Sequence, residues 1–559
     1  MIRTAIEDLG RRRPSPTVAL WCTAVGVTIL LQWHWMTLYM DIRYTFGALR
    51  AAGQAGSSAP EVFIHRPMAH RALMSLLDHL TFGATEFRER LALSIAIVCA
   101  GISGAWLSRS LRDWLDRTSA TYVGLAAFAA LAWAPTVTVL QPEWTAVLLS
   151  VAAIAAALGR QSSVAAWRSP WLVVAGTLLA LAALQKYTTA TTVVVALGVL
   201  VVVSWRRGAV VAGWTAVTTV GLFLLTLLNR HEYQWFREMP ELNDTAVVKW
   251  SALGSSLWYF PFLNPVVMVL PAAVILGYRL SRRRIWWAGP PIAAAVVMAG
   301  VAVQNAYYLH HYAALSVLAG AVVALACALW IRRVGTFPSV ALIGLVWMPT
   351  AWWLSRRPLQ WRADHVGLAV AGEIAVIALS IALAVRQPLD PADASRPQAS
   401  WWKWLLTAAA LALLLSFPAW PRTPALAYTA GETRVSEAAG RDRGIGTGRA
   451  IHEAAGGAEV VYAAGQQAAY FIGLPTACRY PTPTFLARST RAPNAPSLAS
   501  FQENLGCVRD RNAKYLVLNP QLIERGSAVP SVRQTIAAEF DCQHPVLQKE
   551  NLLLCARRR

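Results

Sequence analysis

Ionisable side chains in this chain stand at the edges of long apolar stretches. Asp41 follows the first stretch, Arg66 lies in the polar segment after it, and Lys186, His310 and His311 stand where later stretches begin or end. A carboxylate can accept a proton at neutral pH, and cationic side chains can neutralise an anion, arginine as a planar fork and lysine as a point charge. These residue types suit a reaction that removes a proton and holds an anionic group.

The apolar stretches have the length of membrane-spanning helices. The chain has 559 residues, of which 56% are hydrophobic and only 14% are charged, whereas about 25% of an average soluble domain is charged. This composition excludes a soluble globular protein, a disordered chain and a disulfide-dense secreted protein. The stretches predict about thirteen transmembrane helices, which begin near positions 17, 90, 119, 143, 169, 188, 208, 263, 285, 310, 335, 366 and 402.

The positive charges predict the orientation of these helices. The net charge is +21, which in a soluble chain would suggest nucleic acid as a partner. Here the arginines cluster in alternate loops, and the positive-inside rule places such loops in the cytoplasm. We therefore expect a multi-pass protein of the cell membrane with a cytoplasmic N-terminus, a first helix that is retained, and no nucleic-acid partner.

Three segments on the predicted outer side are longer than the other loops. They are 41–89, 229–262 and 421–559. Long loops between spans are commonly functional, and the last segment contains two predicted strands, 458–462 and 515–518. We therefore divide the chain into a transmembrane domain, 1–420, and an extracytoplasmic α/β domain, 421–559.

Cysteine positions follow the same division. Cys22, Cys99 and Cys327 lie inside predicted spans, whereas four cysteines lie in the tail. An even set in an oxidising compartment suits two disulfides, for which three connectivities exist. We favour Cys478 with Cys507 and Cys542 with Cys555, since each pair closes a local loop. The tail has no Cys-x-x-Cys or similar ligand spacing, so we expect no structural zinc site.

Several short motifs then occur in an order that resembles one family. They are Asp41 at the end of the first span, residues 63–68 with Arg66-Pro67, Phe82-Gly83, Arg90-Leu91, residues 141–143, residues 184–187, and His310-His311-Tyr312. Their order over residues 17–330 is similar to that of GT-C glycosyltransferases, in particular the branch of protein O-mannosyltransferases and the lipid A aminoarabinose transferase. The chain departs from that branch in having one carboxylate at Asp41-Ile42 and a single proline after Arg66.

The resemblance implies a sugar donor on a polyprenyl phosphate and makes 1–420 a GT-C-like catalytic domain. A glycan, lipid or protein acceptor of the cell envelope would attack the sugar at the outer face, with membrane lipids around the enzyme. Asp41 is then the expected general base, and Arg66, Lys186, His310 and His311 are the expected ligands of the donor phosphate. The expected substrate-binding residues are His65, Glu143, Tyr312, Trp258 and Tyr259. No metal or other cofactor is required, although a divalent cation is compatible with this chemistry.

Other interpretations of the same residues stay open at this point. Asp41 could be a solvated interface residue, Lys186 could extend to the headgroups, and the two histidines could form an interfacial aromatic cluster. His65 and Arg66 could lie on an amphipathic helix that contacts anionic lipid. The main rival function is a transporter or flippase of lipid-linked sugars, and another is a membrane-anchored assembly partner. Charges at span ends and the lack of a visible repeat favour chemistry at the surface over passage.

Overall fold

The computed structural model describes residues 15–64, 66–159, 169–243, 260–304, 308–387, 400–423, 433–465, 467–480, 494–524 and 529–559.

A helix coincides with each predicted apolar stretch. By length and composition, seven of the described helices could cross a membrane, and five apolar helices are shorter. The number of membrane spans, about thirteen, therefore stays a prediction. The helices of the membrane part are α1 Pro16–Gln32, α2 Met40–Gln54, α3 Met68–Leu80, α4 Thr85–Ser110, α5 Arg117–Ala132, α6 Pro142–Leu158, α7 Pro170–Ala183, α8 Ala190–Val203, α9 Trp205–Leu227, α10 Arg230–Asn243, α11 Pro265–Met268, α12 Leu270–Leu280, α13 Gly289–Gln304, α14 Ala313–Val334, α15 Ser339–Ser355, α16 Leu359–Asp364, α17 Val366–Arg386 and α18 Trp401–Ser416.

Local sequence explains how these helices start and how closely they pack. Proline opens α1, α6 and α7, where its missing N–H costs no hydrogen bond, and Ser15 and Ser169 cap α1 and α7. Gly104 of α4 faces Gly124 of α5, and a Cβ on Gly104 would lie 2.8 Å from the Gly124 carbonyl oxygen. Small residues thus allow the close helix approach that membrane packing relies on.

The two long segments that were predicted on the outer side contain helices. The helices α2 and α3 lie in the segment 41–89, and α10 lies in the described part of 229–262. The polar and apolar faces of α3 and α10 are clearly separated, as expected of helices that lie against a protein surface. The buried side chain of Arg71 on α3 pairs with Glu232 on α10, and Glu232 also accepts a 2.9 Å hydrogen bond from the Met68 amide. The first and second outer segments are therefore joined to each other.

The tail contains a mixed sheet of β1 Val460–Ala463, β2 Tyr515–Leu518, β3 Phe540–Asp541, β4 Leu547–Lys549 and β5 Leu552–Arg557. The strand order is β1-β2-β5-β3, β1 and β2 are parallel, and β4 pairs with β5. The helices around it are α19 Arg434–Ala455, α20 Ala468–Ile472, α21 Ala499–Val508, α22 Pro520–Glu524 and α23 Pro530–Glu539. Both strands expected from the sequence are present. The first of them, β1, begins at Val460, which is two residues later than predicted.

Two disulfides cross-link the tail internally, and a close helix contact joins the tail to the membrane part. Cys478 pairs with Cys507 and Cys542 with Cys555, the connectivity that the sequence favoured. Outside the sheet, α20 packs directly on α2, where a Cβ on Gly47 would lie 2.7 Å from the Cα of Tyr470. Only glycine permits this approach, so α2 is packed against the tail on one side.

Candidate active site

Asp41 lies in the first turn of α2, next to two polar side chains from other segments. Its Oδ2 is 3.4 Å from Nη2 of Arg66 and accepts a 3.3 Å hydrogen bond from Nε2 of Gln141. Arg66 Nη2 also donates to Gln141 Oε1 at 3.1 Å. The Asp41 side chain keeps 19% of its surface exposed. The carboxylate is thus oriented by two donors and is still accessible to a substrate.

Arg66 itself precedes α3 and is buried. The alternative in which it lies on a lipid-facing amphipathic helix is therefore wrong, because its guanidinium points at Asp41 and Gln141 inside the protein. His65 lies outside the described residues.

A second cluster lies where α6, the end of α7 and the start of α14 meet. Glu143 is in the first turn of α6, where the helix dipole favours a negative charge. Its Oε1 is 2.6 Å from Nζ of Lys186 and 3.3 Å from Nε2 of His311, and Lys186 Nζ is 3.1 Å from the same histidine nitrogen. The structure therefore joins three residues that lie far apart in sequence.

The two rival interpretations of this second cluster have different outcomes, because the histidines do form an aromatic cluster: His310 stacks on Tyr308 with 5.5 Å between ring centroids. Lys186 does not extend to the headgroups, because its ammonium is bound to a buried carboxylate. His310 and His311 are buried and their rings meet at 4.4 Å between centroids. Tyr312 has no exposed surface and stacks on Phe260 with 4.5 Å between ring centroids.

The same cluster is the place where a cation could bind. Glu143, His310 and His311 each offer a ligand atom, and these atoms lie within 4.8 Å of one another. The donor set of two imidazoles and a carboxylate would fit a divalent metal ion. However, the Lys186 ammonium already neutralises the carboxylate, so the residues present do not demand a metal.

Three other carboxylates of the first outer segment are held by arginines. Asp78 is 2.5 Å from Arg50 Nη2, and Glu89 accepts from Arg43 Nε at 2.8 Å and from the Leu38 amide at 3.1 Å. Glu86 pairs with Arg90 at 2.5 Å and with Arg441 at 3.1 Å. Each of these three acids has a shorter arginine contact than Asp41 has, so they suit a structural role better than proton transfer.

An apolar cavity of about 330 Å³ lies beside Lys186. Leu184, Phe223 and Leu227 line it, together with Val220, which is 57% exposed on the outer surface of the helix bundle. The helix α9, which forms one wall of this cavity, is long and apolar enough to cross a membrane. The shape and composition of the cavity fit a hydrocarbon chain whose polar end lies at Lys186.

Solved structures share this arrangement of helices and tail. No protein-family model matches the chain, and no curated protein sequence matches it. The crystal structure of ArnT from Cupriavidus metallidurans bound to undecaprenyl phosphate is similar at a TM-score of 0.58 and 15% identity, over 97% of this chain and 98% of that chain. The apo structure of the same protein gives a TM-score of 0.59 and 15% identity, over 96% of this chain and 97% of that one.

The chain has the GT-C fold. This confirms the fold expected from the order of the motifs. A weaker similarity exists to the Archaeoglobus fulgidus oligosaccharyltransferase tethered with an acceptor peptide, with a TM-score of 0.41 and 10% identity, over 92% of this chain and 72% of that chain.

The candidate site includes three polar residues that sequence reasoning did not select. Gln141 bridges Asp41 and Arg66, and His70 Nδ1 lies 3.1 Å from Oε1 of Gln185, next to Lys186. Burial lowers the pKa of His70 to about 3, and the positive charge of Arg66 adds to this effect. His70 is therefore neutral at neutral pH. The sequence signal for the two glutamines was their place inside the motifs 141–143 and 184–187.

Trp258 and Tyr259, the expected sugar-stacking residues of the second outer segment, lie outside the described residues. Of the ten predicted site residues that are not cysteines, seven are described. The structure brings Asp41 and Arg66 into one cluster and joins Glu143, Lys186 and His311 in the other, which His310 adjoins. Tyr312 packs behind the second cluster.

Proposed function

We propose that this GT-C protein transfers a sugar from a polyprenyl-phosphate donor to a cell-envelope acceptor at the outer face of the membrane. The observation that supports this most is an accessible carboxylate, Asp41, paired with Arg66, in a protein that also places Lys186 at the edge of an apolar cavity. A lipid donor needs this combination, because its hydrocarbon chain stays in the bilayer while its phosphate and sugar must reach polar groups. ArnT, the protein of similar fold, was crystallised with undecaprenyl phosphate.

The proposed reaction assigns one step to each cluster. The acceptor hydroxyl gives its proton to Asp41 while its oxygen attacks the anomeric carbon of the sugar. The bond between that carbon and the phosphate oxygen breaks, and its electron pair stays on the phosphate. Arg66 and Lys186 stabilise the negative charge that develops there, by charge-assisted hydrogen bonds in a site with little water. Gln141 holds both Asp41 and Arg66 in position.

The second cluster suits donor binding for an electrostatic reason. Lys186 in the absence of donor is paired with Glu143, so both charges are satisfied. When a phosphate arrives, the three ammonium hydrogens can serve it and Glu143 together. We propose that His310 and His311 contribute further donors and that Glu143 orients Lys186 toward the substrate.

The organisation of the chain is part of the same proposal. Residues 1–420 form the catalytic domain, and 421–559 form an extracytoplasmic domain that recognises the acceptor or shields the site. The N-terminus lies in the cytoplasm. The two tail disulfides support an oxidising location for the tail.

The test is a transfer assay with the full-length protein in detergent. Mass spectrometry of lipid that co-purifies with the protein identifies the donor class, and the radiolabelled polyprenyl-phosphate sugar is then incubated with an envelope extract. We expect the label to move to a glycan, lipid or protein product. If no label is transferred in detergent, but the labelled lipid crosses the membrane of sealed vesicles that contain the protein, the proposal fails in favour of a flippase.

A further inference from the structure

Besides the apolar cavity beside Lys186, another cavity, of about 290 Å³, lies in the tail. It lies between α19, α20 and the turn that joins β4 to β5, and we call it the tail cleft. Arg443 on α19, Gln467 and Phe471 around α20, Asn519 after β2, and Glu550 and Asn551 in the turn line it. The volume is near the lower end of the roughly 300–1,000 Å³ that small-molecule pockets span.

The position of the tail cleft is one at which ligands commonly bind in α/β sheets. The parallel strands β1 and β2 both end beside it, and the amide of Asn519 donates to the carbonyl of Ala463 at 2.9 Å. Ligands of such sheets tend to occupy the crevice beyond the carboxyl ends of the strands. Gln467 and Asn519 are half-buried there.

A glycine without a packing neighbour lines this cleft. Gly440, Gly444 and Gly448 recur every four residues on α19 and so share one face. Gly444 and Gly448 are explained by packing, because a Cβ on either would collide with Phe471. A Cβ on Gly440 would meet nothing within 4 Å, although this residue lines the cavity. Packing does not explain a glycine here, and glycine is disfavoured inside a helix.

The side chains around the cleft match a hydroxylated, uncharged ligand. Gln467, Asn519 and Asn551 each carry an amide that both donates and accepts hydrogen bonds, as sugar hydroxyls do. Arg443 and Glu550 bring one charge of each sign, so the lining has no net charge that would select a phosphate. Phe471 supplies an apolar floor. These groups are the ones that a carbohydrate requires.

The tail cleft contacts α2, the helix that carries Asp41, through a hydrogen bond. Gln467 Oε1 accepts a 3.2 Å hydrogen bond from Nη1 of Arg43, which lies two residues after Asp41. Two residues turn a helix by about 200°, so Asp41 and Arg43 project from opposite sides of α2. A ligand that fills the cleft and also presents a hydroxyl to Asp41 must extend past this helix. That requirement favours an oligosaccharide over a single sugar.

We propose that the tail cleft binds a neutral glycan segment of the acceptor, at a distance from the hydroxyl that reacts. This inference rests on the proposed function only in naming the ligand as the acceptor, because binding to the cleft needs neither donor nor Asp41. It predicts that the full-length protein recognises an oligosaccharide in the absence of lipid donor.

The experiment uses the full-length protein in detergent on a printed array of neutral arabinan, mannan and glucan oligosaccharides, with phosphorylated oligosaccharides on the same array. Gly440→Trp places an indole in the cleft from a position where an added Cβ would meet no atom within 4 Å. Gly446→Trp is the matched control, because Gly446 is on the same helix, has equally free space, and does not line the cleft. Thermal unfolding of both variants reports whether the tail is intact.

We expect the wild type and Gly446→Trp to bind at least one neutral oligosaccharide and Gly440→Trp to bind it at least tenfold more weakly. If Gly440→Trp unfolds, Asn551→Ala replaces it, since Asn551 is exposed in a turn, and a loss of threefold or more is then expected. Equal binding by the cleft variant and the control would overturn the inference, and so would a wild type that binds no neutral oligosaccharide or prefers the phosphorylated ones. Oligosaccharide binding by a protein that transfers no sugar would instead refute only the proposed function.

Discussion

Replacing Asp41 with Asn removes the proton acceptor and changes little else. The two side chains have nearly the same size, and the Asn Oδ1 can still accept from Arg66 or Gln141, which now contact Asp41 Oδ2 at 3.4 and 3.3 Å. The ion pair that is lost is long and the side chain is 19% exposed. Arg66 is buried, so the loss of its partner can cost more than the about 0–1 kcal/mol of a surface pair. Arg66 keeps its 3.1 Å hydrogen bond to Gln141, so we expect Asp41→Asn to lower the melting temperature only moderately.

The effect on transfer should be far larger than the effect on stability. General-base catalysis typically contributes about 10² to 10⁴ in rate. A hundredfold loss corresponds to about 2.7 kcal/mol of transition-state stabilisation. Donor binding should persist, because the phosphate is assigned to Arg66, Lys186 and the two histidines. We therefore expect Asp41→Asn to bind donor lipid normally and to transfer sugar at least about a hundredfold more slowly.

The assay measures donor lipid retained on purification and the rate of label transfer, side by side with Glu86→Gln. Glu86 is a carboxylate of the same outer segment, but its partners are Arg90 and Arg441 and not the site residues. The control should transfer sugar at close to the wild-type rate. If Asp41→Asn is folded and its rate is within a few-fold of wild type, Asp41 is not the base. A loss shared equally by Glu86→Gln would point to a general disturbance of the segment.

The remaining predictions concern charge, pH, metals and thiols. Lys186→Met should weaken donor binding at least tenfold and lower stability, because it leaves Glu143 without its 2.6 Å partner. The double variant with Glu143→Gln should regain the melting temperature but not donor binding. Recovery of donor binding in the double variant would argue against Lys186 as a phosphate ligand. Burial keeps His70 neutral in the folded chain, with a pKa of about 3 against 6.5 in the unfolded chain. Between these two values only the unfolded chain binds the proton, so the free energy of unfolding is highest above pH 6.5 and falls by about 1.4 kcal/mol per pH unit as the pH decreases toward 3. His70→Gln should flatten that part of the melting-temperature profile, and an unchanged slope would contradict this account. Treatment with EDTA should leave transfer largely intact, and loss that Mg²⁺ or Mn²⁺ restores would show a metal requirement. Thiol labelling of the denatured, unreduced protein should find only the three free cysteines, and labelling of six or seven would deny the bridges; the free cysteines are Cys22, Cys99 and Cys327.

Much of the fold follows from local sequence. Hydrophobic runs predict where helices lie because burial in lipid or protein is a property of each segment, and a helix coincides with each predicted run. The disulfide pairing could also be predicted from the sequence, since Cys478 with Cys507 and Cys542 with Cys555 close short loops. The strands β3, β4 and β5 were missed. The first two of them have only two and three residues, too few for an alternating pattern.

The sequence also named most residues of the candidate site, but not their partners. Asp41, Lys186 and His311 were selected because charged side chains at span ends are rare in an apolar chain and matched an ordered set of motifs. Nothing local indicated that Gln141 would bridge Asp41 and Arg66, or that Arg43 would reach Gln467 from 424 residues away.

Tertiary structure decided which charges act together. Glu143 is 43 residues from Lys186 in sequence, and their contact at 2.6 Å depends on how α6 packs against the end of α7. Helix composition determines that a segment is buried, but many packing arrangements bury the same apolar face, and each would join different polar side chains. An ion pair forms only when its two groups lie within about 4 Å of each other. The distinction between an arginine-bound acid such as Glu89 and the accessible Asp41 therefore arises only once the helices have packed.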